Sequence, residues 1–152
     1  MKAIQFHIII IYISVTCFGC AKEKKDELII EPVGGAYYYI NNQTEVDLLV
    51  EFPVPIYKRS IDAVIFVDST IHIPRLSTTK FFEDTGNFGF NPFPSHTFKE
   101  LNFYRIIDQK KTITLTIKPV DNKDWMTKII SREPSGYGLT EYQLSIDKED
   151  LK

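Results

Sequence analysis

The chain has 152 residues, of which 43% are hydrophobic and 25% charged, and its formal net charge is −2 at pH 7. This length suits one domain, and eleven Phe and eight Tyr provide enough apolar material for a buried core. The slight acidic excess excludes the clustered basic surface of a nucleic-acid-binding protein, so no nucleic-acid partner is expected.

The N-terminus has the features of a secretory signal. Lys2 precedes an apolar run of thirteen residues, 6–18, whereas a helix that spans a bilayer requires about 20 apolar residues. The run is therefore predicted to be the hydrophobic region of a cleavable signal. Because Gly19-Cys20 closes this run, the predicted signal peptide covers residues 1–19.

Gly19-Cys20, followed at once by charged residues, resembles the lipobox of bacterial lipoproteins. The resemblance implies that the signal is cut before Cys20 and that acyl chains on this residue attach the protein to a membrane. Cys17 is an alternative lipid site, although Thr16 is a poorer residue to precede the cut. An uncleaved signal anchor and an ordinary signal peptide are the other interpretations.

Residues 20–35 are predicted to be the lipidated cysteine and a charged linker. Residues 21–27 are almost wholly charged and cannot collapse into a core. This stretch also resembles the surface-export signals of lipoproteins in Bacteroidota, with a plain solvated linker as the alternative. Gly34-Gly35 indicate a turn, so a single domain is predicted over residues 36–152. No cysteine follows Cys20, which excludes a disulfide in the predicted mature chain.

The domain is predicted to begin with a β-hairpin. Residues 37–40 and 46–52 are rich in aromatic and β-branched side chains, and the turn residues 41–43 separate them. Pro53 and Pro55 are expected to end the second strand, because proline cannot donate to a sheet ladder.

A continuous apolar run follows at residues 63–67, and it predicts a strand buried on both faces. Asp68-Ser69 are expected to turn this strand into another at residues 70–73, which Pro74 ends. A further short strand is predicted at residues 78–83.

Residues 84–97 have no hydrophobic periodicity and are predicted to be a long loop. Gly and Pro residues separate Phe88, Phe90 and Phe93, so the aromatic side chains stand in an irregular segment. Loops of this length in a compact domain are usually functional or mobile. Phe88, Phe90 and Phe93 are therefore the candidate binding residues, either as an exposed contact surface or as a lid folded over the open end of the domain.

Two more hairpins are predicted in the second half of the chain. Leu101–Ile107 is expected to pair with residues 112–117, and residues 125–131 with Leu139–Ile146. The second strand of each hairpin alternates, and its predicted inward residues are Ile113, Leu115, Ile117, Tyr142, Leu144 and Ile146.

Seven or eight short strands without an amphipathic helix predict an all-β fold, an antiparallel immunoglobulin-like β-sandwich, with a small β-barrel as the alternative. The order of these signals is similar to that of small lipoproteins of Bacteroidota, and the similarity rests on Gly19-Cys20 and residues 39–42, 68–71, 108–111 and 142–146. It implies a lipid anchor in a bacterial outer membrane, with the periplasmic face and the cell surface both open. It implies no catalytic residue.

The sequence offers little chemistry. It contains no Gly-x-Ser-x-Gly elbow, phosphate loop, His-Glu-x-x-His motif or calcium loop, so we expect no enzyme, no cofactor and no bound metal. His72 and His96 would form a zinc site with Asp68 or Asp84 only if folding brought these residues together.

The sequence therefore predicts a non-catalytic, lipid-anchored binding or interaction module of the cell envelope, with an unidentified protein or glycan as partner. The alternatives are an accessory subunit of an outer-membrane assembly and a small hydrolase.

Overall fold

The computed structural model describes residues 33–151, apart from the side chains of Asn87 and Phe88. Residues 1–20, with the predicted signal peptide and Cys20, lie outside the described residues, as does the charged run 21–27. The described residues form eight strands, one short α-helix and two 3-10 turns, Arg59–Ile61 and Asn122–Asp124. The elements are β1 (Val33–Asn42), β2 (Leu48–Lys58), β3 (Ala63–Ile73), β4 (Ser77–Phe88), α1 (Pro94–Thr97), β5 (Leu101–Ile107), β6 (Lys110–Ile117), β7 (Trp125–Ile129) and β8 (Leu139–Ile146).

The strands make two four-stranded sheets, with orders β4-β1-β8-β7 and β3-β2-β5-β6. Neighbouring strands are antiparallel except β1 and β8, which run parallel from Gly35 opposite Leu139 to Asn42 opposite Ile146. The prediction of an all-β sandwich with seven or eight strands is thus confirmed. Within residues 33–151 the two sheets do not close into a barrel.

Where the strands cover the core, alternate side chains point into the space between the sheets. In β1, Ala36, Tyr38 and Ile40 are fully buried, while Tyr37 and Tyr39 are partly exposed. The centre of the core is aromatic, with ring centroids 4.9–6.5 Å apart in stacked, tilted and edge-on pairs. Its members are Tyr38, Phe52, Phe81, Phe82, Phe98, Trp125 and Tyr142.

The predicted hairpin between residues 37–40 and 46–52 is wrong, because β1 and β2 lie in different sheets. The chain crosses between the sheets at residues 43–47, and the buried Asn42 side chain organises this crossing. Its amide nitrogen donates to the carbonyl oxygens of Val46 at 2.9 Å and Pro74 at 3.1 Å, while its oxygen accepts from the hydroxyl of Thr44 at 2.7 Å. These bonds satisfy the polar groups of the crossover. Local turn propensity did not indicate that the chain changes sheets here.

Pro53 and Pro55 do not end β2, which continues to Lys58. Beyond Glu51, β2 has no paired residue on β5 and pairs only with β3. That part of β2 therefore has a free edge, and strands with a free edge are the ones in which sheets accommodate proline.

The predictions for β3 are also corrected. Residues 63–67 are not buried on both faces, and Asp68-Ser69 do not form a turn, since β3 runs unbroken to Ile73. The physical reason is that this half of β3 pairs with the free part of β2 and lies outside the space between the sheets.

The two later hairpins, β5 with β6 and β7 with β8, are confirmed. Leu144 and Ile146 are buried, and Leu115, Ile117 and Tyr142 pack against the core, as expected. Ile113 is instead exposed, because a bulge shifts the register: Phe103 pairs with Leu115 but Tyr104 pairs with Ile113. The extra residue, Thr114, takes the buried position.

The predicted loop 84–97 is partly ordered as β4 and α1, which leaves residues 89–93 between them. Gly34-Gly35 form part of β1 and not a turn, so β1 begins inside the range assigned to the linker. Gly34 is required by close packing, because a Cβ there would lie 2.8 Å from Cα of Asn91 and 2.9 Å from the Phe90 carbonyl oxygen. Residues 90–91 thus lie directly against the start of β1.

Candidate functional site

The most unusual feature of the described residues is a two-stranded extension of β2 and β3. β2 pairs with β5 only over residues 49–51, but it pairs with β3 as far as Lys58 opposite Ala63. We call residues 53–68, which lie beyond the last β2–β5 pair, the ribbon. Six residues of extended strand span about 20 Å. A short 3-10 turn, Arg59–Ile61, and Asp62 in the left-handed conformation at φ 48° close the far end.

The ribbon is apolar on both faces. Residues directly opposite in an antiparallel pair share a face, so Val54/Val67 and Ile56/Ile65 lie on one face, and Pro55/Phe66 and Tyr57/Val64 on the other. Large apolar side chains of the ribbon are 43–69% exposed, and they are Ile56, Tyr57, Ile61, Val64, Phe66 and Val67. Concentrations of exposed apolar surface of this kind mark interaction sites.

The tip of the ribbon carries its own polar contacts. The Tyr57 hydroxyl donates a hydrogen bond to the Asp62 carboxylate, which raises the pKa of Tyr57 because the protonated phenol is the donor. Lys58 and Arg59 are exposed beside this pair. The tip therefore combines apolar side chains with two long cationic ones.

A cleft of about 290 Å³ lies between the ribbon, β4 and α1. Its apolar lining consists mainly of proline and aromatic side chains, namely Pro53, Pro55, Phe66, Phe82 and Phe98. At its edge, Thr97 donates a hydrogen bond of 2.8 Å to Oδ2 of Asp84 and accepts one of 2.7 Å from Tyr38. Burial raises the pKa of Tyr38, so its phenol remains a neutral donor.

The aromatic residues predicted for binding lie beside this cleft. Phe90 and Phe93 are half-buried, with ring centroids 5.7 Å apart, and His96 packs on both at 5.1 and 4.0 Å. The backbone of Phe88 pairs with Val33, while its side chain lies outside the described residues. The structure therefore brings Phe90 and Phe93 into one cluster with a histidine that the sequence did not connect with them.

The residues considered for zinc do not assemble. His72 lies 3.5 Å from Asp47, and both side chains are more than half exposed, while Asp68 lies opposite Pro53 at the base of the ribbon. Within residues 33–151, no three His, Cys, Asp or Glu side chains are grouped closely enough to hold a metal ion.

A second cleft, of about 440 Å³, lies where β2 begins and β5 ends. Among its lining residues, the backbone N–H of Arg75 donates to Asp47 at 2.9 Å and, with His72, holds the pKa of Asp47 below its usual value. Ile106 and Ile107 form its apolar side. The sequence did not identify this cleft, because its residues come from three separate strands and connections.

Comparison of the chain with protein-family models, curated proteins and solved structures finds no match. Among the residues that the structure describes, no helix has the length and apolar character needed to cross a membrane.

The ribbon was the main feature that sequence reasoning missed. One signal was available: residues 54–57 and 63–67 are both apolar without alternation, although Pro55 interrupts the first run. Two such runs joined by five residues are compatible with a hairpin whose two faces are both apolar. Only the extent of pairing with β5 shows that this hairpin leaves the sandwich.

Proposed function

We propose that the protein is a non-catalytic binding module of a bacterial cell envelope, held by lipid on Cys20, with the ribbon as its contact element. The exposure of apolar side chains on both faces of the ribbon carries this proposal. Such exposure gains nothing for the folding of an isolated domain, because apolar area left in water gives no hydrophobic stabilisation. A partner that covers the ribbon would recover that stabilisation.

We propose no catalytic role, because the polar groups at the two clefts bond to other side chains or to the backbone. Thr97 bonds to Asp84 and to the buried Tyr38, and Asp47 bonds to the backbone of Arg75. These are structural bonds, in which the carboxylates stabilise the ends of the sandwich. The Thr97 hydroxyl does donate to the Asp84 carboxylate, but it also accepts from the buried Tyr38 phenol, so we assign this pair to the support of α1 and not to nucleophilic catalysis.

The lipid anchor is supported by residues 1–20, which resemble a lipoprotein signal that ends at Gly19-Cys20. Two acyl chains give stable membrane attachment, whereas one chain gives only marginal binding. We propose the outer membrane as the site, with either the periplasmic face or the cell surface as the location of the domain.

Membrane fractionation of Cys20→Ala, with Cys17→Ala as the matched control, tests the anchor. Wild type and Cys17→Ala are expected in the membrane fraction and should resist extraction by salt. Cys20→Ala is expected to keep its signal peptide and to carry no acyl chain. Metabolic labelling with a fatty acid then reports on acylation directly. Equal labelling of Cys20→Ala and wild type would refute the proposed lipid site.

Protease treatment of intact cells, beside a periplasmic control protein, separates the two faces of the membrane. Cleavage of the domain while the control survives would place it on the cell surface. Protection until the outer membrane is opened would place it in the periplasm.

A second candidate function is an accessory subunit of an outer-membrane assembly. β3 is an edge strand of eleven residues, and its outer edge has no partner among the described strands. Exposed edges of this length can accept a strand from another protein. A photo-crosslinker at Thr70, on the exposed side of β3, would capture one membrane protein at a fixed ratio if this function is right.

A further inference from the structure

The ribbon lies at the end of the sandwich where the N-terminal segment enters. β1 runs from Val33 to Asn42, and five residues connect it to Leu48 at the start of β2. Asn42 and Leu48 therefore share one end of the sandwich, while Val33 and the ribbon share the other. Residues 91–96 connect the start of β1 with the ribbon, because Asn91 packs against Gly34 and His96 lines the cleft beside the ribbon.

The length of chain before β1 fits this arrangement. Thirteen residue steps separate Cys20 from Val33, and a chain of that number spans at most about 45 Å. The ribbon itself is about 20 Å long, well within that limit. A lipid on Cys20 would thus hold the ribbon end of the domain toward the bilayer and within reach of it.

The side chains of the ribbon suit the interfacial layer of a bilayer. A lipid environment covers both apolar faces at once, whereas a flat protein surface covers only one. Tyr57 at the tip has the apolar ring and polar hydroxyl that favour the interface. The long stems of Lys58 and Arg59 can lie along apolar surroundings with their charges at the headgroups. Asp68 stands at the base of the ribbon, opposite Pro53 and away from the tip. Asp62 lies at the tip beside Lys58 and Arg59, where its carboxylate accepts the hydrogen bond of the Tyr57 hydroxyl.

We propose that the ribbon inserts its apolar side chains into the interfacial layer of the same membrane that holds the lipid anchor. This inference rests on the proposed function, since it takes the anchor at Cys20 and the ribbon as the contact element. It gives the domain two points of attachment and a fixed orientation. The end that carries Asp47, His72 and Arg75 then faces away from the membrane, where other molecules can reach it.

Labelling at two matched positions tests this proposal. The chain from Ala21 onward contains no cysteine, and it retains every strand and core residue that the structure describes. An environment-sensitive fluorophore is attached to Phe66→Cys in the ribbon or to Leu76→Cys at the other end. Phe66 and Leu76 are both 69% exposed. The probe is a vesicle of phosphatidylethanolamine and phosphatidylglycerol, with or without spin-labelled lipid as a quencher.

The expected result is a blue shift and lipid-dependent quenching at position 66 and neither effect at position 76. In co-sedimentation with the same vesicles, Val64→Ser/Phe66→Ser should bind about tenfold more weakly than the unsubstituted chain, since two exposed apolar side chains are lost. Leu76→Ser should bind as the unsubstituted chain does. Thermal unfolding of all three forms checks that each remains folded.

Equal responses at positions 66 and 76, or none, would overturn the proposal. A response at position 66 to solubilised envelope proteins but not to vesicles would also overturn it and would assign the ribbon to a protein groove. The vesicle experiment uses a chain without Cys20, so its outcome is independent of acylation. If Cys20 is not acylated but the chain still binds vesicles, the lipid anchor is refuted and the membrane contact of the ribbon is not. If Cys20 is acylated but the chain does not bind vesicles, only the membrane contact of the ribbon is refuted.

Discussion

The buried phenol of Tyr38 donates a hydrogen bond of 2.7 Å to the hydroxyl of Thr97. Thr97 uses its single proton toward Asp84 at 2.8 Å, so the direction of the first bond is fixed. This relay joins the middle of β1 to the short helix α1 and to β4. It holds α1 against the core beside the aromatic cluster of Tyr38, Phe81 and Phe98.

Thr97→Val is predicted to destabilise the protein more than Tyr38→Phe does. The valine leaves the buried Tyr38 hydroxyl without its partner, at a cost of about 1–3 kcal/mol, whereas Tyr38→Phe removes a bond whose net contribution is about 1 kcal/mol. Urea unfolding of the two variants measures the difference. A larger loss for Tyr38→Phe would show that the relay does not satisfy the phenol.

Loss of an aromatic ring should lower the free energy of unfolding strongly in the core and very little on the ribbon. Phe52 is 1% exposed and packs on Phe81, Phe82 and Phe98, so Phe52→Ala should cost about 3–5 kcal/mol. Phe66→Ala on the ribbon should change the free energy of unfolding by about 0.5 kcal/mol or less. Denaturant titration checks both, and a large cost at Phe66 would mean that the ribbon packs against the domain.

Two adjacent glycines provide a test of the packing between β1 and residues 90–91. Gly34→Ala should destabilise by about 1–3 kcal/mol, because its Cβ would overlap the backbone of Phe90 and Asn91. Gly35→Ala is the matched control, since its Cβ would lie 3.4 Å from a flexible methyl group of Leu139. Thermal unfolding should separate the two variants, and equal melting temperatures would contradict the close approach at Gly34.

Phe90 decides between the two roles proposed for the aromatic loop. Its ring is half-buried and packs on Phe93 and His96, so we expect Phe90→Ser to cost about 1–2 kcal/mol through lost apolar burial. That outcome would identify these residues as a lid over this end of the domain. An unchanged melting temperature with weaker partner binding would identify them as a contact surface instead.

Periodicity predicted the strands that belong to regular hairpins, because each has one face in the core. The alternation in β8 correctly placed Leu144 and Ile146 inside. In β6 it failed at Ile113, since one extra residue in a bulge exchanges the two faces. A bulge has no signature in a Thr/Ile alternation, so the sequence alone did not reveal it.

Pairing between distant strands was harder to predict. Residues 63–67 have the apolar composition of a central strand, and composition does not distinguish burial in a core from exposure on a ribbon. The difference depends on where β5 stops pairing with β2, which involves residues about fifty positions apart. The same limit applies to the candidate site. The sequence identified the aromatic residues of the loop, but it did not predict the neighbouring cleft or the ribbon, which depend on pairing between distant strands.

The pH dependence of stability should include a contribution from Glu51. Its carboxylate accepts hydrogen bonds from the ammonium of Lys111 and, at 3.0 Å, from the hydroxyl of Tyr104. The Lys111 bond is the main cause that holds the pKa of Glu51 below its ordinary value of 4.5. A lowered folded-state pKa stabilises the protein above the unfolded-state pKa, and this stability is lost as the pH falls through the folded-state value.

Glu51→Gln is therefore expected to reduce stability at pH 7 but to make less difference at pH 3, which lies below the ordinary pKa of 4.5, where the stabilisation by the carboxylate is declining. Urea midpoints for wild type and variant at the two pH values measure this convergence. Lys111→Met is the matched control, because it removes the main cause of the shift and should flatten the same acid limb. A difference in urea midpoint between wild type and Glu51→Gln that widens toward low pH would contradict this prediction. It would show that Glu51 is not stabilised as a carboxylate in the folded protein.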